Sequence, residues 1–284
     1  MRLNKNLATM NAYRNYLRAL DIQAGSMEKI SSGSKINKAK DNPNKLAQSE
    51  RLRLQIRSLE MASRNTQDAV SMIQTAEGTM NSITESIQRM RQLVVQSGGA
   101  LNGNDKDVID NEITEILNGI QSMAEKNNFN GVNLIGDQTV ADNDNPKEIK
   151  VTVGGNVGEM VSIEVYNASS KGLGLMDAGG NSLIDLANID DCLSKVDTAL
   201  DTVLAIRSKY GAKQNKFESM YNNLIEIRDR NISCESSIRD VNIAEESMQL
   251  AKGSLLIDAG NAVMAQTNKF PQEILRVLES VRGR

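Results

Sequence analysis

Apolar residues recur at helical spacing at the start of the chain. They lie three, four or seven positions apart, at Leu3, Leu7, Met10, Leu17, Leu20, Ala24 and Met27. This heptad pattern is typical of a helix with one apolar face. The pattern stops at "SSGSKINKAKDNPNK", where Ser, Gly, Asn, Asp and Pro cluster as loop formers. The sequence therefore predicts a terminal helix followed by a loop.

The segment after Pro43 predicts a very long helix. Its apolar seam contains Leu52, Ile56, Leu59, Val70, Ile73, Met80, Ile87 and Val94. The stretch "SGGALNGND" then predicts a turn. A further helix follows, with apolar residues at Ile109, Ile113, Ile116, Ile120 and Met123, and "KNNFNG" can cap its end.

Alternation of apolar and polar residues replaces the helical period in the middle of the chain. The stretch "EIKVTVGGNVGEMVSIEVYN" alternates on both sides of a Gly-rich turn, which predicts a β-hairpin. The glycines could instead form a dinucleotide-binding loop, but that loop requires a helix directly after it. Val161, Ile163 and Val165 alternate as a strand, so the hairpin is favoured.

The helical period returns near Leu183, and a polar stretch, "RDRNISCESSIRDVN", predicts a loop before a final helix from about Ile243. The seam of that last helix contains Met248, Ala251, Leu255, Ala262 and Ala265. Each terminal helix has too narrow an apolar face to be stable alone, so we expect the two chain ends to pair. The predicted fold is mainly α: a long helical coiled-coil bundle formed by both chain ends, with a small β-hairpin region in the middle.

Composition argues against catalysis and cofactor chemistry. The chain has no His, which is the commonest general base and the commonest transition-metal ligand. We therefore expect no enzyme activity, no metal and no cofactor. Cys192 and Cys234 lie 42 residues apart on one predicted helix, roughly 60 Å at 1.5 Å per residue. A disulfide within one subunit is excluded at that distance.

Charge is unevenly spread along the chain. Residues 1–57 hold twelve Lys and Arg against four Asp and Glu, although the whole chain has a net charge of −3. A basic arm could bind nucleic acid, but aromatic residues for base stacking are scarce there and the charges scatter around the helix. A solvated or subunit-facing helix is favoured, with no nucleic acid as partner.

Hydropathy gives no sign of a membrane segment. No stretch approaches the roughly 20 apolar residues of a membrane span. The N-terminus also has no apolar run long enough for a cleavable signal peptide. We expect no membrane insertion, and either a cytoplasmic protein or one exported without a cleavable signal.

Long blocks of the chain closely resemble bacterial flagellin. They include "MRLNKNLATMNAYRNY", "SSGSKINKAKDNPNKLAQSERLRLQIRSLEMASRNTQDAVSMIQTAEGTMNSITESIQRMRQLVVQS", "FNGVNLI", "RSKYGAKQNKFESMYNNL", "SSIRDVNIAEES" and "DAGNAVMAQTNKFPQEIL". Together they cover roughly residues 1–135 and 185–284, in the family's order. The resemblance implies a secreted structural subunit that self-assembles into the extracellular filament of the bacterial flagellum for swimming motility.

The resemblance also implies a division of the chain. Residues 1–44 and 243–284 would form the paired inner-core terminal helices. A helical shell domain would comprise 45–135 and 183–242, and 136–182 would form a short, variable, β-rich outer region. A hook–filament junction protein shares similar helical ends and is the alternative. The long N-terminal block and "NAVMAQTNKFPQEIL" favour flagellin.

Partners follow from the same resemblance. They are further copies of the chain, an export chaperone at the C-terminal segment, the filament cap and hook-junction proteins, and the host Toll-like receptor for flagellin. The residues expected to carry assembly form one apolar stripe on each terminal helix. We call the two together the assembly stripe: Leu3, Leu7, Met10, Leu17, Leu20, Leu255, Leu256, Val263 and Leu278.

The receptor-contact candidates implied by the resemblance are Arg89, Leu93 and Glu112. Arg89 and Leu93 are four residues apart, so they lie on one face of the predicted helix. A charged group beside an apolar one would suit an interface anchor. The same residues could equally pack between subunits, and one face can serve both purposes.

Overall fold

The computed structural model describes residues 7–99, 103–137, 139–140, 143, 145–177 and 179–282. Within these ranges the chain is mainly α, as the sequence predicts. The helices are α1 (Leu7–Ser32), α2 (Pro43–Ser97), α3 (Gly103–Lys126), α4 (Ile189–Arg239) and α5 (Ile243–Arg282), and the strands are β1 (Lys147–Thr152) and β2 (Met160–Val165).

Helix α4 is longer at its C-terminal end than the sequence suggests. The polar stretch 228–242 is predicted to be a loop, but α4 continues through it to Arg239. The prediction is wrong because polar residues such as Arg, Glu and Ser are acceptable on an exposed helix face. The connector between α4 and α5 is therefore only three residues long, from Asp240 to Asn242.

The chain divides into two compact units. Unit 1 comprises Met1–Leu54 and Arg230–Arg284, and unit 2 comprises Gln55–Asp229. Helices α2 and α4 contribute residues to both.

The core of unit 2 is a heptad seam. Ile73, Met80, Ile87 and Val94 of α2 follow one another at seven-residue spacing, and each is completely buried. Helices α3 and α4 cover this seam and belong to the same apolar cluster. The predicted seam of the long helix is therefore confirmed where the structure is most tightly packed.

The β-hairpin is confirmed, and it is tied to α4. β1 and β2 are antiparallel, with Lys147 opposite Val165 and Thr152 opposite Met160. The Tyr210 hydroxyl lies 2.8 Å from the carbonyl oxygen of Leu134, to which it can donate. The Lys213 ammonium donates to the carbonyl of Ser162 at 3.0 Å. These two bonds from α4 hold the hairpin and the segment before it.

In unit 1 the two connectors are bonded to each other. The amide of Lys35 donates to the carbonyl of Arg239, and the amide of Val241 donates to the carbonyl of Gly33 at 3.1 Å. Gly33 has a φ of 68°, the left-handed conformation that ends a helix without steric cost. Asn42 then caps α2, because its side-chain oxygen accepts from the amide of Lys45 at 3.0 Å.

Candidate functional site

Helices α1 and α5 pack against each other along an antiparallel seam in unit 1. The hydroxyl of Thr9 donates to Thr267 at 3.1 Å, and the amide of Gln23 donates to the Ser254 hydroxyl at 3.0 Å. Leu20, Gly25 and Lys29 of α1 and Ser254 of α5 are half-buried beside the seam. The members of the seam itself, seven described positions on each helix, are buried or half-buried and follow one another at alternating spacings of three and four. They are Thr9, Ala12, Tyr16, Ala19, Gln23, Ser26 and Ile30 on α1, and Glu246, Leu250, Gly253, Ile257, Gly260, Met264 and Thr267 on α5.

One end of this seam is an ion pair. The Lys29 ammonium lies 2.8 Å from the Glu246 carboxylate, and the Ser26 hydroxyl donates to the same carboxylate at 2.8 Å. The bond from Lys29 and the bond from Ser26 hold the pKa of Glu246 below its ordinary value. Glu246 is therefore ionised at neutral pH and fixes the register of α1 on α5.

The assembly stripe is not part of this seam. Leu7 is 68% exposed and Leu255 is 71% exposed. The other described members of the stripe are also exposed, except Leu20, which is half-buried: Met10, Leu17, Leu256 and Val263. Leu3 lies outside the described residues, and only the backbone of Leu278 is described.

The two chain ends pair as the sequence predicts, but the assembly stripe does not form the contact between them. The same holds for the predicted α5 seam, whose Met248 is 67% exposed. The two helices meet instead mainly through small and polar residues, of which Ala19, Ser26 and Gly253 are buried. The larger apolar members of the seam are half-buried: Tyr16, Ile30, Leu250, Ile257 and Met264. Most apolar side chains of the assembly stripe remain uncovered on the outside of the helix pair.

Nine of the fourteen seam positions are Ala, Ser, Gly, Gln, Glu or Thr. The seam therefore gives only a weak hydropathy signal, which is why sequence reasoning missed it. The spacing alone could have revealed it. Gly253 and Gly260 are seven residues apart, and at both positions α1 lies within contact distance of an added Cβ. A Cβ built at Gly260 would lie 3.6 Å from the Tyr16 side chain.

Two of the three receptor-contact candidates meet on the surface of unit 2. The Nη2 atom of Arg89 lies 2.8 Å from Oε1 of Glu112, and its Nε atom lies 3.2 Å from the same oxygen. The two side chains are 53% and 43% exposed. The pair thus joins α2 to α3 while presenting both charged groups to solvent.

Leu93 does not stand beside them as an exposed anchor. Its side chain is 1% exposed and belongs to the apolar core of unit 2. The four-residue spacing puts it on the same side of α2 as Arg89, but α3 covers that side of the helix. Leu93 is therefore not available as an exposed contact group in the isolated chain.

The outer segment contains a strongly bonded carboxylate. Asp137 accepts from the hydroxyl of Thr139 at 2.7 Å and from its amide at 2.9 Å, and pairs with Lys147 at 3.0 Å. The Thr139 hydroxyl, the Thr139 amide and the Lys147 ammonium lower the pKa of Asp137 to about 2. These bonds fasten the segment before β1 to the first residue of that strand.

Three further features of the described residues concern metal ligands, helix hydropathy and the cysteines. Within them, no three His, Cys, Asp or Glu side chains are grouped to bind a metal ion. No described helix has the length and apolar character needed to cross a membrane. Cys192 is buried and Cys234 is exposed, and both are free thiols.

Comparison with known proteins identifies the chain through both of its helical parts. The model of the bacterial flagellin N-terminal helical region matches residues 3–139, and that of the C-terminal helical region matches residues 193–278. Flagellin from Bacillus subtilis (strain 168) is 34% identical, with 98% of this chain and 100% of the relative aligned. Flagellin from Halalkalibacterium halodurans is 36% identical with the same coverage.

Two further similarities concern a filament protein and a fold. The flagellar filament core protein flaB2 of Brachyspira hyodysenteriae is 32% identical over 98% of this chain and all of the relative. The solved structure of a protein described as a flagellar hook-associated protein, from Vibrio parahaemolyticus, is 18% identical with a TM-score of 0.57. It covers 70% of this chain and 100% of that one, and it shows likeness of fold alone. The two matched family models and the full-length relatives show that this chain belongs to the bacterial flagellin family.

Proposed function

We propose that this chain is exported and polymerises from many copies into the extracellular filament of a bacterial flagellum. The observation that carries the proposal is the exposed assembly stripe. Leu17 and Leu256 are both exposed although each belongs to a helix that already has a partner. Apolar side chains left open in a row mark a protein interface, and further copies of the same helices would cover them.

Membership of the flagellin family also settles the class of protein. Flagellins are structural filament proteins, so the chain is not an enzyme. The division into inner helices (1–44 with 243–284), helical shell (45–135 with 183–242) and outer region (136–182) is part of the same proposal. It is supported by the starts of two helices, because α2 begins at Pro43 and α5 begins at Ile243, close to the proposed boundaries.

The filament proposal is tested by seeded polymerisation. Purified full-length chain, mixed with short filament seeds, is expected to elongate them into long filaments visible by electron microscopy. A hook–filament junction protein would instead stop at assemblies of about one ring, because its copies bind in limited number. Chain that stays monomeric at every concentration with seeds would contradict both functions.

Accessory partners follow from the same exposed surface. Before export, a cytosolic chaperone would cover the open α5 side chains such as Leu255, since an uncovered apolar stripe favours aggregation. The hook-junction proteins and the filament cap would contact the same helices at the two ends of the filament. Pull-down of a chaperone by wild-type chain, and its loss on Leu255→Asp, is the corresponding test.

A second role is recognition by the host Toll-like receptor for flagellin. Arg89 and Glu112 support it, because both charged groups are exposed and held in one place by their ion pair. Their pairing presents a cation and an anion side by side, which suits a polar partner surface. Leu93, being buried, would act only by holding α2 and α3 in place.

Arg91 provides a matched control for that role. It lies on the same helix, is 48% exposed and is also ion-paired, to Asp197 at 2.7 Å. Arg89→Ala monomer is expected to lose most of its signalling in receptor reporter cells, whereas Arg91→Ala retains it. Equal loss in the two variants would show that the effect is not specific to the Arg89 site.

A further inference from the structure

A basic cavity of about 300 Å³ lies at the start of α2, within unit 1. Its walls come from the end of α1, the connector before α2 and the first turn of α2. The lining residues are Lys29, Lys35, Ile36, Asp41, Asn42 and Lys45. Three of the six carry an ammonium group. The cavity is small enough to enclose one or two side chains, and it is too small for an extended chain of phosphates.

The negative charges near this cavity are already engaged. Lys29 pairs with Glu246 at 2.8 Å. The Asp41 carboxylate accepts from the amide of Lys38 at 2.9 Å and from that of Asn37 at 3.2 Å, which closes the connector on itself. Within the described residues, Lys35 and Lys45 form no ion pair. Neutral amides leave the charge of Asp41 in place, so Lys35 and Lys45 give the cavity an excess of one positive charge.

The opposite charge is found in unit 2 of the same sequence. Unit 1 contains eighteen Lys and Arg against eleven Asp and Glu, whereas unit 2 contains fifteen against twenty-five. Unit 1 thus carries a net charge of +7 and unit 2 a net charge of −10. Separation of charge on this scale favours contacts between unlike units of neighbouring copies.

Several exposed acidic residues of unit 2 lie near the starts of α3 and α4. A Cβ built at Gly98 would lie 3.1 Å from Ile189, so the start of α4 lies against the end of α2. Five exposed carboxylates lie in the first turns of α3, just before α4 or at its start, and they form no ion pair with the described residues. We call them the acidic end: Asp105, Asp107, Asp110, Asp185 and Asp190. Exposed Val95 and Val108 add apolar area beside them.

We propose that the basic cavity of one copy receives the acidic end of a second copy. This inference rests on the proposed filament and names one contact within it. The two surfaces differ, so each copy uses its cavity for one neighbour and its acidic end for another. Such head-to-tail contacts produce open helical filaments when the rotation between copies does not close a ring.

Charge reversal tests the contact with two full-length variants. The cavity variant carries Lys35→Glu and Lys45→Glu, and the end variant carries Asp107→Lys and Asp110→Lys. In each variant alone, like charges meet at every such contact, so the critical concentration for polymerisation is expected to rise at least about tenfold. In an equimolar mixture the copies can alternate with every contact complementary, and the critical concentration is expected to return toward that of wild type.

The control variant changes the net charge by the same amount as the cavity variant, but at a different place. Lys150 and Lys216 are exposed and lie in unit 2. Lys150→Glu with Lys216→Glu should polymerise normally alone and should not rescue the end variant. Circular dichroism checks that all variants keep their helix content. The milder Lys35→Gln with Lys45→Gln, expected to weaken polymerisation less, keeps the test valid if the cavity variant misfolds.

Salt dependence gives a second readout. Raising the ionic strength screens both attraction and repulsion, so the critical concentration should rise for wild type and fall for each reversed variant. A mixture no better than its components, or variants that polymerise like wild type, would overturn the proposed contact while leaving the filament intact. If the cavity variant polymerised like wild type but bound phosphatidylglycerol vesicles less well than wild type, the cavity would be assigned to a lipid surface instead. Failure of the wild-type chain to polymerise would count against the filament itself.

Discussion

Gly253 of α5 lies directly against Gln23 of α1. A Cβ built on Gly253 would lie 3.3 Å from the Cβ of Gln23, which is tighter than an ordinary van der Waals contact, and 3.5 Å from its Cα. The glycine is buried, so no solvent separates the two helices at this level of the seam. Close approach of α1 and α5 therefore depends on the missing side chain.

Replacing Gly253 with leucine is expected to push α1 and α5 apart. Overpacking in a close contact costs typically 1–3 kcal/mol, and here the neighbouring atom belongs to the Gln23 stem beside its backbone. We expect a critical concentration for polymerisation at least about fivefold higher. Gly25→Ala is the control, since nothing lies within 4 Å of its Cβ position and alanine favours a helix by up to about 1 kcal/mol. Normal polymerisation of the Gly253 variant would mean that the helices do not approach this closely.

Arg89 and Leu93 are expected to affect stability very differently. Leu93→Ala opens a cavity in the core of unit 2 and should lower the free energy of unfolding by about 2–5 kcal/mol. Arg89→Ala removes one exposed ion pair and should lower it by less than about 1 kcal/mol. Urea unfolding of full-length monomer, followed by circular dichroism, measures both. Equal losses would contradict the burial of Leu93.

The pKa of Asp137 predicts a specific acid sensitivity. Because folding lowers the pKa of this carboxyl to about 2, its stabilising contribution is present above the ordinary aspartate pKa of about 3.8. It is lost as the pH falls from there through about 2. Asp137→Asn should therefore be less stable than wild type at pH 7, by about 1 kcal/mol after allowance for solvent screening of the Lys147 pair.

The measurement for Asp137 is the difference in unfolding free energy between wild type and variant at several pH values. That difference should shrink steadily between pH 4 and pH 2, although both proteins lose stability there. Asp201→Asn, which changes an exposed aspartate on α4, serves as the control. A difference independent of pH would show that the carboxylate charge is not what fastens this segment.

Sequence reasoning succeeded where burial within one chain produces the pattern. The seven-residue spacing of Ile73, Met80 and Ile87 and the alternation of Val161, Ile163 and Val165 both report contacts that each chain completes by itself. At the chain ends the same reasoning selected the wrong face. Apolar periodicity cannot distinguish burial against the same chain from burial against another copy, so it found the exposed stripe.

Other features could not be read from the sequence at all. Asn143 and Asn167 form two hydrogen bonds with each other. The backbone amide of Asn167 donates to the side-chain oxygen of Asn143 at 2.7 Å, and the side-chain amide of Asn143 donates to the carbonyl of Asn167. Such a contact depends on two irregular segments meeting 24 residues apart, and no periodicity marks it. The candidates Arg89 and Glu112 came from resemblance, and their ion pair required knowledge of how α3 packs on α2.

The two cysteines are expected to react at very different rates. Cys192 is buried, its thiol lies 2.9 Å from the carbonyl oxygen of Asp185, and burial raises its pKa. Cys234 is exposed on α4. Alkylation of native monomer should modify Cys234 at least about tenfold faster, as measured by mass spectrometry of the peptides. Urea should remove the difference, and equal native rates would contradict the packing around Cys192.

The open assembly stripe predicts that ordering of the chain ends is coupled to assembly. The α1–α5 seam buries mainly small and polar side chains, so it offsets little of the chain entropy lost when two long helices form. Amides of α1 and α5 should therefore exchange faster than those of unit 2 in dilute monomer, and become protected in filaments.

Leu256→Asp with Val263→Asp, both exposed in the isolated chain, should abolish filaments because the charges would be buried between copies. Limited proteolysis should leave the unit 2 fragments of this variant as resistant as those of wild type. If the variant still polymerised, or if the ends were fully protected in monomer, the terminal helices would not depend on neighbouring copies.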